Sequence, residues 1–95
     1  MRLLPCLAFA LLLAAPGVEA SRLPPDVMAY AARRDRCDHW RGEASDDPER
    51  AAEVRRAVTR ECRGSDAALA RLLRRYARNK AVTRRLEFYD LQIER

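Results

Sequence analysis

Cys37-Asp38-His39-Trp40-Arg41-Gly42-Glu43 is the stretch on which the fold turns, because it opens a cysteine pair that Cys62 closes. The remaining cysteine, Cys6, lies inside an apolar N-terminal run. Two cysteines in a small exported chain predict one disulfide, and each falls near the end of a predicted helix. Such a bridge clamps two helices together. It sets an architecture and leaves the activity open.

Export is read from the N-terminus. Arg2 gives a positive start, Leu3 to Ala15 is almost unbroken apolar sequence, Pro16-Gly17 interrupts it, and Val18-Glu19-Ala20 ends in a small residue suited to a signal peptidase. The expectation is a cleaved signal peptide over residues 1–20, carrying Cys6 away with it. A retained anchor is the alternative, but the apolar run is shorter than the ~20 residues that span a bilayer. A periplasmic or secreted protein follows, with no stable membrane span after processing. A mature chain from Ser21 is small for a self-supporting core, so a staple is expected. Closing the Cys37–Cys62 loop should contribute roughly 3–4 kcal/mol by the chain-entropy argument.

The chain carries 19 Lys and Arg against 14 Asp and Glu, a formal net charge of +5. Loss of Arg2 and Glu19 with the signal segment leaves that balance unchanged, and Lys80 is the only lysine. An exported basic protein meets anionic lipid, wall polymers and acidic proteins rather than nucleic acid, and it is drawn to them in a salt-dependent way.

The helices follow from period and punctuation. Pro24-Pro25 precedes a first helix over about 26–41, with Val27, Tyr30, Ala31, Arg34 and Cys37 on one face and Trp40 at its edge. Gly42 ends it, Trp40 is expected to be mostly buried where the first two helices meet, with Tyr30 beneath it, and an acidic loop runs to Asp47. Asp47-Pro48-Glu49 starts a second helix over about 48–63, which places Ala51, Val54, Val58 and Cys62 on one side. Gly64 ends that helix and Ser65 is expected to cap a third, about 66–78, with Leu69, Leu72, Leu73 and Tyr76 buried and Arg71, Arg74, Arg75 and Arg78 opposite. Asn79 separates it from a fourth helix over about 80–94, whose core stripe is Val82, Leu86, Tyr89 and Ile93. The predicted fold is all-α: a small disulfide-stapled bundle of three to four helices after an N-terminal signal helix.

The run Cys37-x-His39-Trp40-x-Gly42-Glu43, then Asp46 or Asp47, a second cysteine 25 residues after the first, Gly64-Ser65-Asp66 and a Leu-Leu-Tyr helix resemble a loose group of small exported proteobacterial proteins. The resemblance covers most of the mature chain. It implies export and a helical fold, and it brings no activity and no catalytic residue.

Candidate chemistry is sparse. His39 is the only histidine, and Asp38, Glu43, Asp46 and Asp47 lie near it in sequence, yet zinc sites recruit three or four nitrogen or sulfur ligands at recognisable spacing. A bridged Cys37 cannot ligate or act as a nucleophile. No glycine-rich phosphate loop and no serine elbow is present, so no cofactor is expected and no catalytic set is assembled. Two readings stay open. One is a non-enzymatic helical module that binds another envelope protein or a second copy of itself; the other is a ligand- or metal-binding or catalytic protein centred on Asp38, His39 and Glu43 beside Trp40. The arginine stripe of the third helix is read first as a solvated face and second as a grip on an anionic envelope surface or an acidic protein. On the fourth helix, Phe88 and Leu91 point away from the core stripe, covered either within the monomer or by a docking partner.

Overall fold

Proline opens the first two helices of the computed structural model, which describes residues 22–94. The expected signal segment, residues 1–20, lies outside them. Pro25 is the first helical residue of α1 (Pro25–Arg41), where the missing N–H costs nothing. Pro48 plays the same part in α2 (Pro48–Cys62), and the Asp47 carboxylate accepts the Arg50 N–H at 3.1 Å to cap it. α3 (Ser65–Arg75) and α4 (Lys80–Leu86) complete an all-α fold, with no strand among the described residues. Among those residues, no helix is long and apolar enough to cross a membrane.

α1 is the spine. Its N-terminal half supplies Val27 and Ala31 to a core shared with Leu69 and Leu72 of α3, Val82 and Leu86 of α4, and Tyr89, with Leu23, Tyr30, Leu73 and Tyr76 packed around it. Its C-terminal half lies along α2, antiparallel and joined by the Cys37–Cys62 disulfide, whose Cα atoms are 4.9 Å apart. Around the bridge, Arg36 pairs with Glu61 at 3.2 Å, and Arg33 donates to the Arg60 and Arg63 carbonyls at 2.9 and 3.1 Å. Because Cys62 is the last residue of α2, the bridge closes the helix pair at the end remote from its connecting loop.

Several expectations need correction. α3 stops at Arg75 rather than 78, since Asn79 turns its side chain onto the Val82 N–H at 3.1 Å and starts α4. Ser65 is not a cap: Gly64 holds that position at φ 79°, a left-handed conformation open to glycine, while Ser65 is buried in the first turn. Gly42, by contrast, sits at φ −86° and needs no glycine. The largest difference is at the C-terminus, where α4 ends at Leu86 and residues 87–94 fold back without helix. The stripe survives this change in part: Val82, Leu86 and Tyr89 are buried, and Ile93 is half-buried.

Candidate functional site

Arg34 is the polar centre of the molecule. It lies on the buried face of α1 and is only 2 % exposed. A buried guanidinium is costly unless its donors are used, and here they are. Nε donates to the Asp38 carboxylate at 3.0 and 3.1 Å, Nη1 to Tyr30 Oη at 3.0 Å and Ser65 Oγ at 3.2 Å, and Nη2 to the Asp90 carbonyl at 3.0 Å. Its cationic carbon stands 5.2 Å from the centre of the Tyr89 ring. Burial works against the charge, but the hydrogen bonds it donates to Asp38 and Tyr30 outweigh it and hold the guanidinium above its ordinary pKa. One side chain thus ties α1, the start of α3 and the C-terminal tail together.

The tail is fixed at two further points. Tyr89 is buried against Tyr30, edge to face with ring centroids 5.8 Å apart, and its hydroxyl donates to Asp35 Oδ1 at 2.7 Å. Desolvation, with the Asp35 hydrogen bond added, pushes its pKa up to about 12 against the opposing pull of Arg85. Beyond it, Asp66 accepts the N–H groups of Ile93 and Glu94 at 2.9 and 3.1 Å. The Glu94 carboxylate in turn accepts those of Asp66 and Gly64 at 2.9 and 3.1 Å. The N-terminus of α3 is therefore capped from the far end of the chain, by a carboxylate where the helix dipole favours one.

The residues singled out from sequence are spread over the surface. Asp38 turns back to Arg34 and is also held by Arg41 at 2.9 Å. His39 is exposed, with Nε2 3.6 Å from the Glu43 carboxylate and its ring edge to face with Trp40 at 5.5 Å. Asp38 and the His39–Glu43 pair are thus separately engaged. Trp40 is half-buried rather than mostly buried, with Arg50 stacked 5.2 Å from its ring centre. Tyr30, expected beneath it, packs on Tyr89 instead, because ten residues of helix separate the two rings by about 15 Å. Among the described residues, no three His, Cys, Asp or Glu side chains gather closely enough to hold a metal ion.

In the α3 stripe, Arg75 pairs with Asp26 at 3.1 Å and lies over the Tyr76 ring, while Arg71, Arg74 and Arg78 are exposed. Phe88 and Leu91 are 81 % and 57 % exposed, so neither α1 nor Leu23 covers them. The Phe88 ring meets the buried Tyr89 ring edge to face, with centroids 5.6 Å apart.

One feature escaped the sequence reading. An open groove of about 620 Å³ runs along α2 beside α1, lined by Arg33, Arg55, Arg56, Arg60 and Arg63 with Ala52 and Thr59. Its signal was in the sequence, since Arg56 and Arg60, and likewise Arg55 and Arg63, recur at one and two helical turns. No protein-family model, curated protein or solved structure matches the chain.

Proposed function

We propose that this protein is a non-enzymatic protein-interaction module that works outside the cytoplasm and docks through Phe88 and Leu91. The observation that carries the reading is the exposure of an aromatic side chain on a segment that is itself held firmly. Arg34 binds the Asp90 carbonyl and Asp66 binds the Ile93 and Glu94 N–H groups, so Phe88 and Leu91 are presented at little entropic cost. Aromatic anchors of this kind supply much of the energy at protein interfaces. Arg84, Glu87 and Asp90, exposed and near them in sequence, offer both signs of charge, which suits a self-complementary contact as well as a contact with another envelope protein. The disulfide supports work in an oxidising compartment.

A photo-crosslinking residue at position 88 of the exported protein tests this in cells. The expected outcome is one discrete adduct, to a second copy or to a single envelope protein, that vanishes when the probe is moved to the exposed Ala77. Adducts equally frequent from both positions would overturn the reading.

A further inference from the structure

The arginine groove has no part in that docking surface and raises its own question. Outside the groove, Arg34 and Arg41 share Asp38, Arg36 meets Glu61, Arg50 meets Glu53, Arg75 meets Asp26 and Arg85 meets Asp35, whereas Arg71, Arg74, Arg78 and Arg84 face solvent without lining so large a concavity. Among the described residues, no carboxylate stands within ion-pair reach of Arg55, Arg56 or Arg63. Arg33 is pinned at the groove wall by the Arg60 and Arg63 carbonyls, and Arg60 has only a share of Glu61 at 3.6 Å. Like charges one turn apart destabilise a helix, as Arg56 and Arg60 must. An anion seated among them would relieve that repulsion.

We propose that this groove binds a compact, soluble anion carrying at least two phosphoryl groups. Planar guanidinium forks pair bidentately with phosphate oxygens, and several forks around one concavity favour a ligand with several such groups. The volume, about 620 Å³, falls in the range of small-molecule sites. Its lining decides against a bilayer: the only side chains besides arginine are Ala52 and Thr59, and neither is large enough to enter the acyl region. The arginine stripe of α3 is a weaker candidate. Its groove, formed with Arg71 and Arg75, is smaller at about 240 Å³, and the Asp26 carboxylate already lines it.

Titration calorimetry of the full oxidised protein with inorganic tripolyphosphate tests the proposal. Saturable one-to-one binding that weakens with added salt is expected, together with a rise in melting temperature. An Arg55→Gln/Arg56→Gln variant should bind about tenfold more weakly or worse, as loss of two charge-assisted contacts implies. An Arg71→Gln/Arg74→Gln variant, which loses the same net charge, should change affinity by less than about threefold, since only screened long-range attraction is altered. Melting curves establish that both exposed-site variants fold. Equal weakening in the two variants would reduce the effect to net charge and overturn the site. So would orthophosphate binding as tightly as tripolyphosphate, or capture only by phosphatidate-containing vesicles or only by an acidic peptide.

Discussion

The two halves of α1 are held by different forces. Towards its N-terminus, Val27 and Ala31 are buried in an apolar core built with α3, α4 and Tyr89. Towards its C-terminus, the partner is α2, and the contacts are a disulfide, the Arg36–Glu61 ion pair, the Arg33 hydrogen bonds and a short strip of small side chains led by Val54 and Ala57. Apolar burial is continuous in the first half, and covalent closure substitutes for it in the second. A chain this short lacks the volume for two cores, and the cysteine pair is what allows α2 to lie on α1 with so little apolar area beneath it.

The sharpest way to break this comparison is to cut the bridge. Reduction, or Cys37→Ser with Cys62→Ser, should cost about 3–4 kcal/mol and lower the melting temperature by about 15 °C or more. Hydrogen exchange should then show α2 amides losing protection while those of α3 keep theirs. Uniform loss across all helices would mean that α1 transmits the damage and that the halves are one cooperative unit.

Arg34 stands where the two halves meet, three residues before the bridging cysteine. Arg34→Ala leaves Tyr30, Ser65 and the Asp90 carbonyl without their donor and should cost about 3 kcal/mol, at the low end for broken buried pairs because Asp38 is partly solvated. Arg34→Lys should recover only a minor share, since one ammonium cannot reach partners in three directions. Urea titration at neutral pH measures both. A full recovery by lysine would show that charge alone, and not the fork, organises the tail.

Much of this was legible in the sequence, and what was not has a common cause. The buried face of α1, the Asp47 cap, the bridge and the Val82, Leu86 and Tyr89 stripe all follow from local spacing. Spacing puts Arg34 on the buried face, but nothing local says that the Ser65 hydroxyl and the Asp90 carbonyl wait there. The end of α4 is hidden in the sequence for the same reason. Residues 87–94 contain neither proline nor glycine, yet the Asp90 carbonyl and the Ile93 and Glu94 N–H groups are claimed by Arg34 and Asp66 from elsewhere in the chain. Those are the backbone groups that a longer helix would have used on itself. Ser65 looks like a cap in sequence because the carboxylate that does cap α3, Glu94, is nearly thirty residues away.

The apolar half carries its own signature in pH. Tyr89 has its pKa pushed up to about 12, above the ordinary value near 10, so the neutral phenol is favoured in the folded state. The stabilisation is fully present below pH ~10 and is lost as the pH rises through about 12, by on the order of 2–3 kcal/mol. Tyr76, raised by its hydrogen bond to Asp26 and by burial, adds to the same alkaline loss. Tyr89→Phe should flatten the fall in stability between pH 10 and 12 while costing only about 1 kcal/mol at neutral pH, where Asp35 regains water in place of the hydroxyl. An unchanged alkaline slope would remove Tyr89 from the account.

The smallest effect on stability is expected one residue away, at Phe88. Tyr89 and Phe88 are neighbours on a fixed tail, but one is 4 % exposed and the other 81 %. The core takes the first ring and leaves the second in water, where an aromatic side chain gains nothing for the monomer. Phe88→Ala should therefore move the unfolding free energy by less than about 1 kcal/mol, as surface changes do, in contrast to the several kcal/mol that a core aromatic would cost. Sedimentation of the same variant carries the functional half of the contrast: if a second copy is the partner, concentration-dependent association should disappear with the ring. A loss of several kcal/mol instead would put Phe88 in the core in solution, and the docking surface proposed for this tail would go with it.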